Sequence, residues 1–454
     1  MEKYYNNAMI EWRRMESFRS ERSRCKRYVY GDQWDDKIYD GKEWISEENF
    51  IRRQGQVPLK NNILRRILRN VIGLYRAQYK VPLLTVKGSG FSKEAVSAKN
   101  KNRRKWFHDN RMEELAPRLL EEFLISGLVA VKIEDKQILP VTADNFFFHS
   151  EGYDPRGNDI DLIGEIHKVS FGTLLEKFCE SADEYHRIST LYAGQSVCSI
   201  VEVWCKDVQV FGILHDEENA ILRVRHIADI LSGMNKAEEG KGKMGKVCSY
   251  IKSGWRRFWF AADGTLLRES GIYGRHPYVF KAYPFIDGEI HSYISDIIDQ
   301  QRYVNRLITL YDFIMKSSAK GVLLFPDESL PRGMSLQEVA DQWSRFNGVI
   351  PYHAKPGVPM PTQVSGNSAN IGITELLKIQ MQMLEDISGV SPTLQGKLVA
   401  NSTSGTLFQQ QNEAAQTSLL DILRSFTDFL TTLAENADST INDQLSTEGI
   451  RSET

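Results

Sequence analysis

The sequence of 454 residues contains no run of about 18 apolar residues, so nothing in it predicts a helix that crosses a membrane. Its first 25 residues carry charges throughout and lack the apolar segment of a signal peptide, and we therefore expect synthesis in a cytoplasm. The five cysteines are scattered, without a Cys-x-x-Cys pair or neighbouring paired histidines. This spacing disfavours both a disulfide framework and a zinc site.

Complete catalytic motifs are also missing from the sequence. Residues Gly240–Val247 fit the phosphate-loop spacing Gly-x4-Gly-Lys, but Val247 stands where a Ser or Thr must bind Mg²⁺. The nine histidines show no His-Glu-x-x-His spacing, and there is no Gly-x-Ser-x-Gly turn. We therefore expect that the protein is not an enzyme and that it needs no cofactor and no metal.

The formal net charge of −2 hides a strong asymmetry along the chain. Residues 1–120 hold 27 Lys and Arg against 15 Asp and Glu, whereas residues 372–454 hold 4 basic residues against 11 acidic ones. A basic region is typical of proteins that contact nucleic acid, because neutralising phosphates supplies much of the affinity. Solvated charged faces with no partner explain the same counts, and charge alone does not choose between the two.

Apolar spacing separates the chain into helical and strand-forming regions. Three- and four-residue spacing predicts helices over 1–27, 61–80 and 111–127, with Asn61 or Asn62 as the N-cap of the second. Between Leu128 and about Phe285, short β-branched and aromatic runs alternate with turn residues, which predicts strands and a hairpin around Asp263-Gly264. The predicted class is therefore α+β.

The last third of the sequence predicts a long helix, a small insert and returning helices. Apolar periodicity is unbroken from about His291 to Ser317. A proline-containing, β-forming insert covers 320–371, a second helix follows at 372–388, and a third long helix follows a loop. A helical bundle with a decorated hairpin is the alternative interpretation of this pattern.

Three segments resemble the portal proteins of tailed bacteriophages, most closely those of short-tailed phages. Tyr28-Val-Tyr-Gly-Asp-Gln-Trp34 resembles the Tyr-x-Gly-x-Gln-Trp segment near the N terminus of those proteins. The run from Asp299 to Leu307 is similar to their stem helix, and Ile387–Pro392 with Gly396 and Ser404-Gly405 is similar to their tunnel-loop region. The order of these segments along nearly the whole chain is what carries the resemblance.

The resemblance implies a portal fold with an α/β wing, a two-helix stem, a small β-containing clip, a tunnel loop and a long wing and crown helix. Relatives often carry a further crown or helical barrel, and we expect these parts to be short or missing here. The implied boundaries are a wing at 1–289, stem helices at 290–318 and 372–388, a clip at 319–371, a tunnel loop at 389–403, and the long helix with a short tail at 404–454.

Three sets of residues follow as candidate sites. The tunnel loop is expected to face the bore with small and polar side chains and one cation, which do not hold phosphates strongly; an ordinary surface loop is the alternative. The basic residues of the wing are candidates for contact with capsid, neighbouring subunits or DNA, and the clip residues form either a contact surface or the clip's own core. The residues are Ser391, Gln395, Lys397, Asn401, Ser402 and Ser404 for the loop, Arg65, Arg66, Arg69 and Arg76 for the wing, and Trp343, Phe346 and Tyr352 for the clip.

The resemblance also implies partners and a location. The expected assembly is a homo-oligomeric ring, twelve-fold in the family, at the portal vertex of the virion, made in the cytoplasm of a host bacterium. Expected partners are the major capsid protein, the terminase large subunit, neck adaptor or tail proteins, and double-stranded DNA that passes without sequence specificity; no membrane is expected. The alternatives are another virion structural protein or, with less support, a nucleic-acid packaging enzyme.

Overall fold

The computed structural model describes ten stretches of the chain, and the chain folds into two compact units. One unit comprises residues 1–26, 68–295 and 416–454, and the other comprises 27–67 and 296–415. Both units contain helices and strands, in agreement with the predicted α+β class. The described residues are 2–85, 93–149, 154–216, 221–226, 247–320, 322–344, 348–364, 372–390, 417 and 419–438.

The helices follow the predicted periodicity with shifted ends. The predicted helix over 1–27 is broken at Met15 into two helices. The long helix begins at Ser295, because the Ser292 hydroxyl accepts the N–H groups of Ile294 and Ser295 and so fixes the preceding turn. The helices are α1 (Glu2–Arg14), α2 (Glu16–Tyr30), α3 (Glu47–Arg53), α4 (Ile63–Gln78), α5 (Lys93–Asp109), α6 (Met112–Ser126), α7 (Phe171–Phe178), α8 (Ala182–Leu191), α9 (Ser295–Lys320), α10 (Leu336–Ser344), α11 (Ile373–Ser388) and α12 (419–438). None of these described helices is both long and apolar enough to cross a membrane.

The described strands of the first unit form three antiparallel sheets, the smallest of which is two-stranded. A six-stranded sheet has the order β10-β9-β7-β6-β5, with β8 paired to β7, and a three-stranded sheet has the order β11-β3-β4. The hairpin predicted around Asp263-Gly264 is confirmed, since it joins β9 to β10. The strands are β1 (Lys37–Tyr39), β2 (Trp44–Ser46), β3 (Leu128–Glu134), β4 (Gln137–Val141), β5 (Phe146–Phe148), β6 (Leu162–Ser170), β7 (Val197–Asp216), β8 (Ile221–His226), β9 (Val247–Ala261), β10 (Leu266–Tyr273), β11 (Tyr278–Ala282), β12 (Phe285–Ile286), β13 (Glu289–Ile290), β14 (Val322–Leu324) and β15 (Thr362–Val364).

Strand β9 shows how the first unit builds a core on each face of its larger sheet. Successive side chains of a strand point to opposite faces. Phe258 and Phe260 therefore join the larger apolar cluster with Phe146 of β5, whereas Trp259 joins a second cluster with Phe178 of α7. Burial of these aromatic rings is what holds helices to both faces of the sheet.

Helix α12 is tied into the first unit by aromatic and ionic contacts. Phe426 lies edge-on to Tyr75, with ring centroids 5.3 Å apart, and tilts against Phe123 at 5.9 Å. Asp428 accepts a hydrogen bond from Lys281 Nζ at 2.9 Å. The final described helix is thus part of this unit rather than a separate appendage.

The second unit combines the β1–β2 hairpin and α3 with α9, α10, α11 and a two-stranded β14–β15 sheet. In that sheet Val322 pairs with Val364 and Leu324 pairs with Thr362. The predicted insert at 320–371 therefore contains the expected strands, and it also contains helix α10, which its proline-rich composition did not indicate. The predicted wing at 1–289 is divided between the two units, since residues 27–67 belong to the second.

Candidate functional site

Three polar residues lie on the buried side of α9. Gln301 and Asn305 are fully buried and Thr309 is nearly so, although all three occur in a helix whose other buried residues are apolar. Their four-residue spacing puts them in one row along the helix. A buried amide without a partner costs free energy, so each of these side chains needs defined partners.

Gln301 supplies the cap of another helix. Its Oε1 accepts the N–H groups of Ile63 at 3.0 Å and Leu64 at 3.2 Å, which are the first two residues of α4. Its Nε2 donates to the Asn61 carbonyl at 2.7 Å. The first N–H groups of a helix have no partner within that helix, and here a side chain from α9 satisfies two of them.

Asn305 extends the same network toward the segment that follows α2. Its Nδ2 donates to Gln33 Oε1 at 2.7 Å, and its Oδ1 accepts the Asn61 N–H at 3.0 Å. Gln33 in turn donates to the Tyr28 carbonyl at 2.8 Å and to Asn62 Oδ1 at 3.2 Å. The Tyr28–Trp34 and Asp299–Leu307 segments, far apart in sequence, are therefore joined by hydrogen bonds.

Asn62 is the residue that caps α4 through its own side chain. Its Oδ1 accepts the Arg65 N–H at 3.1 Å, three residues into the helix. Its Nδ2 donates to the Val29 carbonyl at 2.8 Å. The prediction of an N-cap at Asn61 or Asn62 is confirmed, with Asn62 as the residue.

An ion-pair cluster joins another face of α9 to α3. The carboxylate of Glu47 is almost fully buried, and Arg302 lies 2.7 Å from its Oε2 while Arg306 contacts its Oε1. Burial alone lowers the pKa of the Arg302 guanidinium, but the hydrogen bond and charge of Glu47 outweigh this and raise it. Segment 27–67 is thus fixed to α9 by amides on one side and by charges on the other.

The solvent side of α9 carries large apolar side chains in a regular row. Tyr303, Leu310 and Phe313 are each more than a third exposed, and they follow the same helical face as Asp299 and Arg306. Contiguous apolar groups on a protein surface are typical of contacts with partners.

Helix α11 has a comparable row. Ile379, Met383 and Ile387 lie four residues apart, and each is 47% exposed. Leu384 and Ser388, on another face, are buried. Two helices of the second unit therefore present apolar rows to solvent.

The predicted clip residues lie in the β14–β15 region and the helix within it. Trp343 is partly buried, Tyr352 is exposed, and Phe346 lies outside the described residues. The Tyr352 hydroxyl contacts Met360 Sδ at 3.4 Å, and Met360 and Val349 are themselves strongly exposed. Large apolar groups at the surface around Tyr352 favour a contact surface there over a small core.

The predicted basic residues of the wing are on α4, and three of the four face solvent. Arg66, Arg69 and Arg76 are exposed, while Arg65 is partly buried with its guanidinium 4.6 Å from the centroid of the Tyr30 ring. That geometry is a cation–π contact within the second unit.

The six predicted tunnel-loop residues, Ser391, Gln395, Lys397, Asn401, Ser402 and Ser404, lie outside the described residues, as does the phosphate-loop-like segment 240–246.

Sequence reasoning missed a buried charge cluster in the larger sheet. Glu202 is fully buried; its carboxylate lies 2.8 Å from His167 Nε2, 3.0 Å from Lys132 Nζ and 2.8 Å from Arg257 Nε. Trp204 Nε1 donates to it at 2.9 Å. Burial alone raises the pKa of this carboxyl, but His167 and the two cations lower it well below its ordinary value. Lys132 and Glu202 occupy strand positions that alternation alone does not identify as buried.

Glu165, His167 and Glu202 are close enough to bind one metal ion, since their ligand atoms all lie within 4.8 Å of one another. The neighbouring groups do not fit that use. Lys132 and Arg257 already neutralise the Glu202 carboxylate, and a divalent ion would bring further positive charge against two buried cations. The arrangement is that of a structural ion-pair cluster.

Comparison with known proteins adds one finding. A family model described as "Phage P22-like portal protein" matches residues 6–449. No curated protein matches the chain.

Proposed function

Because the chain belongs to the phage P22-like portal protein family, we propose that it forms a ring-shaped channel at one capsid vertex, through which DNA is packaged and ejected. The family is one of bacteriophage virion proteins that serve DNA packaging and connect head to tail, and its members are structural. The observation that carries the proposal is the match itself, which covers nearly the whole chain.

The two stem helices are α9 and α11. The amide network holds the buried side of α9 to segment 27–67, and this leaves the row of Tyr303, Leu310 and Phe313 without a cover inside its unit. A head-to-tail contact that repeats and closes gives each copy the same neighbour on each side. The apolar rows of α9 and α11 are the surfaces that such a contact buries, and the family's twelve-fold ring is the assembly we propose.

The clip is the region around β14 and β15, and it docks the terminase large subunit during packaging and the neck adaptor or tail proteins afterwards. Exposed Tyr352, Met360 and Val349 supply the large side chains that protein contacts favour.

The loop after α11, at 389–403, is the tunnel loop, and the major capsid protein surrounds the wing. Packaging assays on a deletion within 391–402 test the loop: DNA filling at the normal level contradicts its role.

The ring itself is tested by assembly mass. We expect the purified protein to form rings whose central hole admits duplex DNA in negative-stain images. The triple change Ile379→Gln, Met383→Gln and Ile387→Gln removes the apolar row of α11 and leaves its buried residues in place. The fraction of protein in rings, measured by light scattering, is expected to fall at least about tenfold. That fall corresponds to about 1.4 kcal/mol of lost contact free energy.

The matched control changes polar residues of the same helix, Glu375→Gln, Lys378→Gln and Gln382→Ala, and is expected to assemble as the unaltered protein does. A closed dimer without a hole contradicts the proposed function. Equal loss of rings in the two variants contradicts the role given to the apolar row.

A further inference from the structure

Helix α5 has a buried side that fixes it firmly in the first unit. Arg103, Trp106 and Phe107 are all less than a tenth exposed. The Arg103 guanidinium lies 2.7 Å from Asp438 of α12, and Trp106 Nε1 donates to the Lys136 carbonyl at 2.7 Å. The helix is therefore held by both an ion pair and a buried indole.

Two asparagines fix the middle and the end of the same helix. Asn100 makes two hydrogen bonds to the backbone of Leu84, accepting its N–H at 2.8 Å and donating to its carbonyl at 3.0 Å. Asn110, just past the helix, donates to the Trp106 carbonyl at 2.9 Å and accepts the Ile138 N–H at 2.8 Å. Such contacts hold α5 in one position, and they therefore also fix the side chains on its outer side.

The outer side of α5 carries positive charge. Lys101, Arg104 and Lys105 are exposed, and together with His108 they occupy positions i, i+3, i+4 and i+7 of one helical face. Among the described residues, no ion pair involves Lys101, Arg104 or Lys105, whereas Arg103 on the buried side is paired. His108 Nδ1 lies 3.7 Å from Asp109 Oδ1.

The chemistry of this face favours a polyanion over a protein. None of the large apolar residues that are exposed in the described part of the chain lies on α5, and protein interfaces are built around such residues and are depleted of lysine. The face instead offers long cationic side chains with Ser97 and Asn102 nearby as hydrogen-bond donors. Duplex DNA presents a dense row of phosphates, about one charge per 1.7 Å of axis, which suits this composition.

We propose that the face formed by Lys101, Arg104, Lys105 and His108 binds the phosphate backbone of duplex DNA, without sequence preference. The inference rests on the proposed function for the presence of DNA at the protein, and it goes further by assigning a residue-level contact to the wing. Cations near a helix C-terminus also stabilise the helix dipole, and that role alone predicts no effect on DNA binding.

The test measures the affinity of the full-length protein for a fluorescein-labelled duplex of arbitrary sequence, by anisotropy over a range of KCl concentrations. The variant carries Lys101→Gln, Arg104→Gln and Lys105→Gln. Because each lost phosphate contact removes about 0.9 from the slope of log affinity against log salt, the slope is expected to fall by about 2.7 and the affinity at about 0.1 M salt by more than tenfold.

The matched control removes the same charge from three other elements, through Lys3→Gln, Arg118→Gln and Lys168→Gln, all at exposed positions. A charge-retaining variant, Lys101→Arg with Lys105→Arg, is expected to keep the unaltered slope. Equal loss in the control, or no measurable binding by the unaltered protein, overturns the inference.

Assembly mass and thermal melting are measured on the same samples. If rings form normally and the α5 variant keeps its full affinity for DNA, the DNA contact on α5 is overturned and the proposed ring function stands. Failure of the unaltered protein to form rings, with the α5 effect on DNA intact, counts against the proposed function and leaves the DNA contact standing.

Discussion

Single buried polar residues determine which segments of this protein meet. Glu202 is enclosed by two cations, an imidazole and an indole N–H, and Gln301 is enclosed by backbone groups of α4. Periodicity predicts which side of α9 is buried, and helical spacing puts Gln301 and Asn305 on that side, but neither identifies the groups that these two side chains contact. Their partners are more than 200 residues away in the sequence, and only the folded chain identifies them.

The change Gln301→Leu tests the cap of α4. The leucine is similar in size but removes the three hydrogen bonds that Gln301 makes with the Ile63 and Leu64 N–H groups and the Asn61 carbonyl, which costs about 3 kcal/mol of unfolding free energy. Urea denaturation measures the loss. The neighbouring change Gln300→Leu, at a partly exposed position of the same helix, is expected to cost less than about 0.5 kcal/mol; equal losses contradict the capping role.

His276 gives the protein a pH-dependent stability. Burial, and to a smaller extent the charge of Arg275, lowers the pKa of its imidazole to about 4. The unfolded chain therefore binds a proton at about pH 6.5 while the folded protein remains neutral until about pH 4. Stability from this group is complete above pH 6.5 and is lost as the pH falls toward 4, by up to about 3 kcal/mol.

Urea denaturation between pH 7 and pH 4 checks this sign. In His276→Gln the decline over that interval is expected to become shallower, whereas the exposed His186→Gln serves as the control and keeps the original decline. A His276→Gln protein with an unchanged pH profile contradicts the assignment.

Helices and strands were predictable where apolar spacing is regular and where turn residues mark the ends. α4, α6 and α9 lie within a few residues of their predicted bounds because each buries apolar side chains at regular helical spacing. The break at Met15 was missed, since charged residues on both sides of it are equally compatible with one continuous helix. Of the candidate arginines of α4, Arg66, Arg69 and Arg76 are exposed and Arg65 is partly buried, and their contact with a partner stays a prediction. The sequence did not indicate the basic face of α5, because charge counts do not show which cations lack an acidic neighbour.

Gly127 ends α6 in a conformation that other residues rarely adopt. Its φ is +75°, and an added Cβ would lie 2.0 Å from the His291 carbonyl oxygen. Gly127→Ala is therefore expected to lower the free energy of unfolding by more than about 2 kcal/mol, through both backbone strain and displacement of the neighbouring chain.

Gly73→Ala is the control for that change. Gly73 lies inside α4 with nothing within 4 Å of the added Cβ, so alanine is expected to stabilise the protein by about 0.5–1 kcal/mol. Thermal denaturation of the two variants should shift in opposite directions, and a shared direction contradicts this account.

The whole molecule is built from discontinuous pieces of chain. The first unit is assembled from three segments and the second from two, so the chain passes between them four times. Three helices, α2, α4 and α9, include residues of both units. This organisation was not predictable from composition. Flexible linkers usually mark domain boundaries, but here the chain passes from one unit to the other inside described helices, where no such linker exists.

The capping of α4 by Gln301 has a consequence for how the protein is made. Ile63 leaves the ribosome 238 residues before the side chain that satisfies its N–H. At the usual pace of bacterial synthesis this interval is roughly 12–48 s. Throughout that time the Ile63 and Leu64 N–H groups lack the side chain that accepts them in the folded protein, so a nascent chain that stops before α9 carries α4 without this cap.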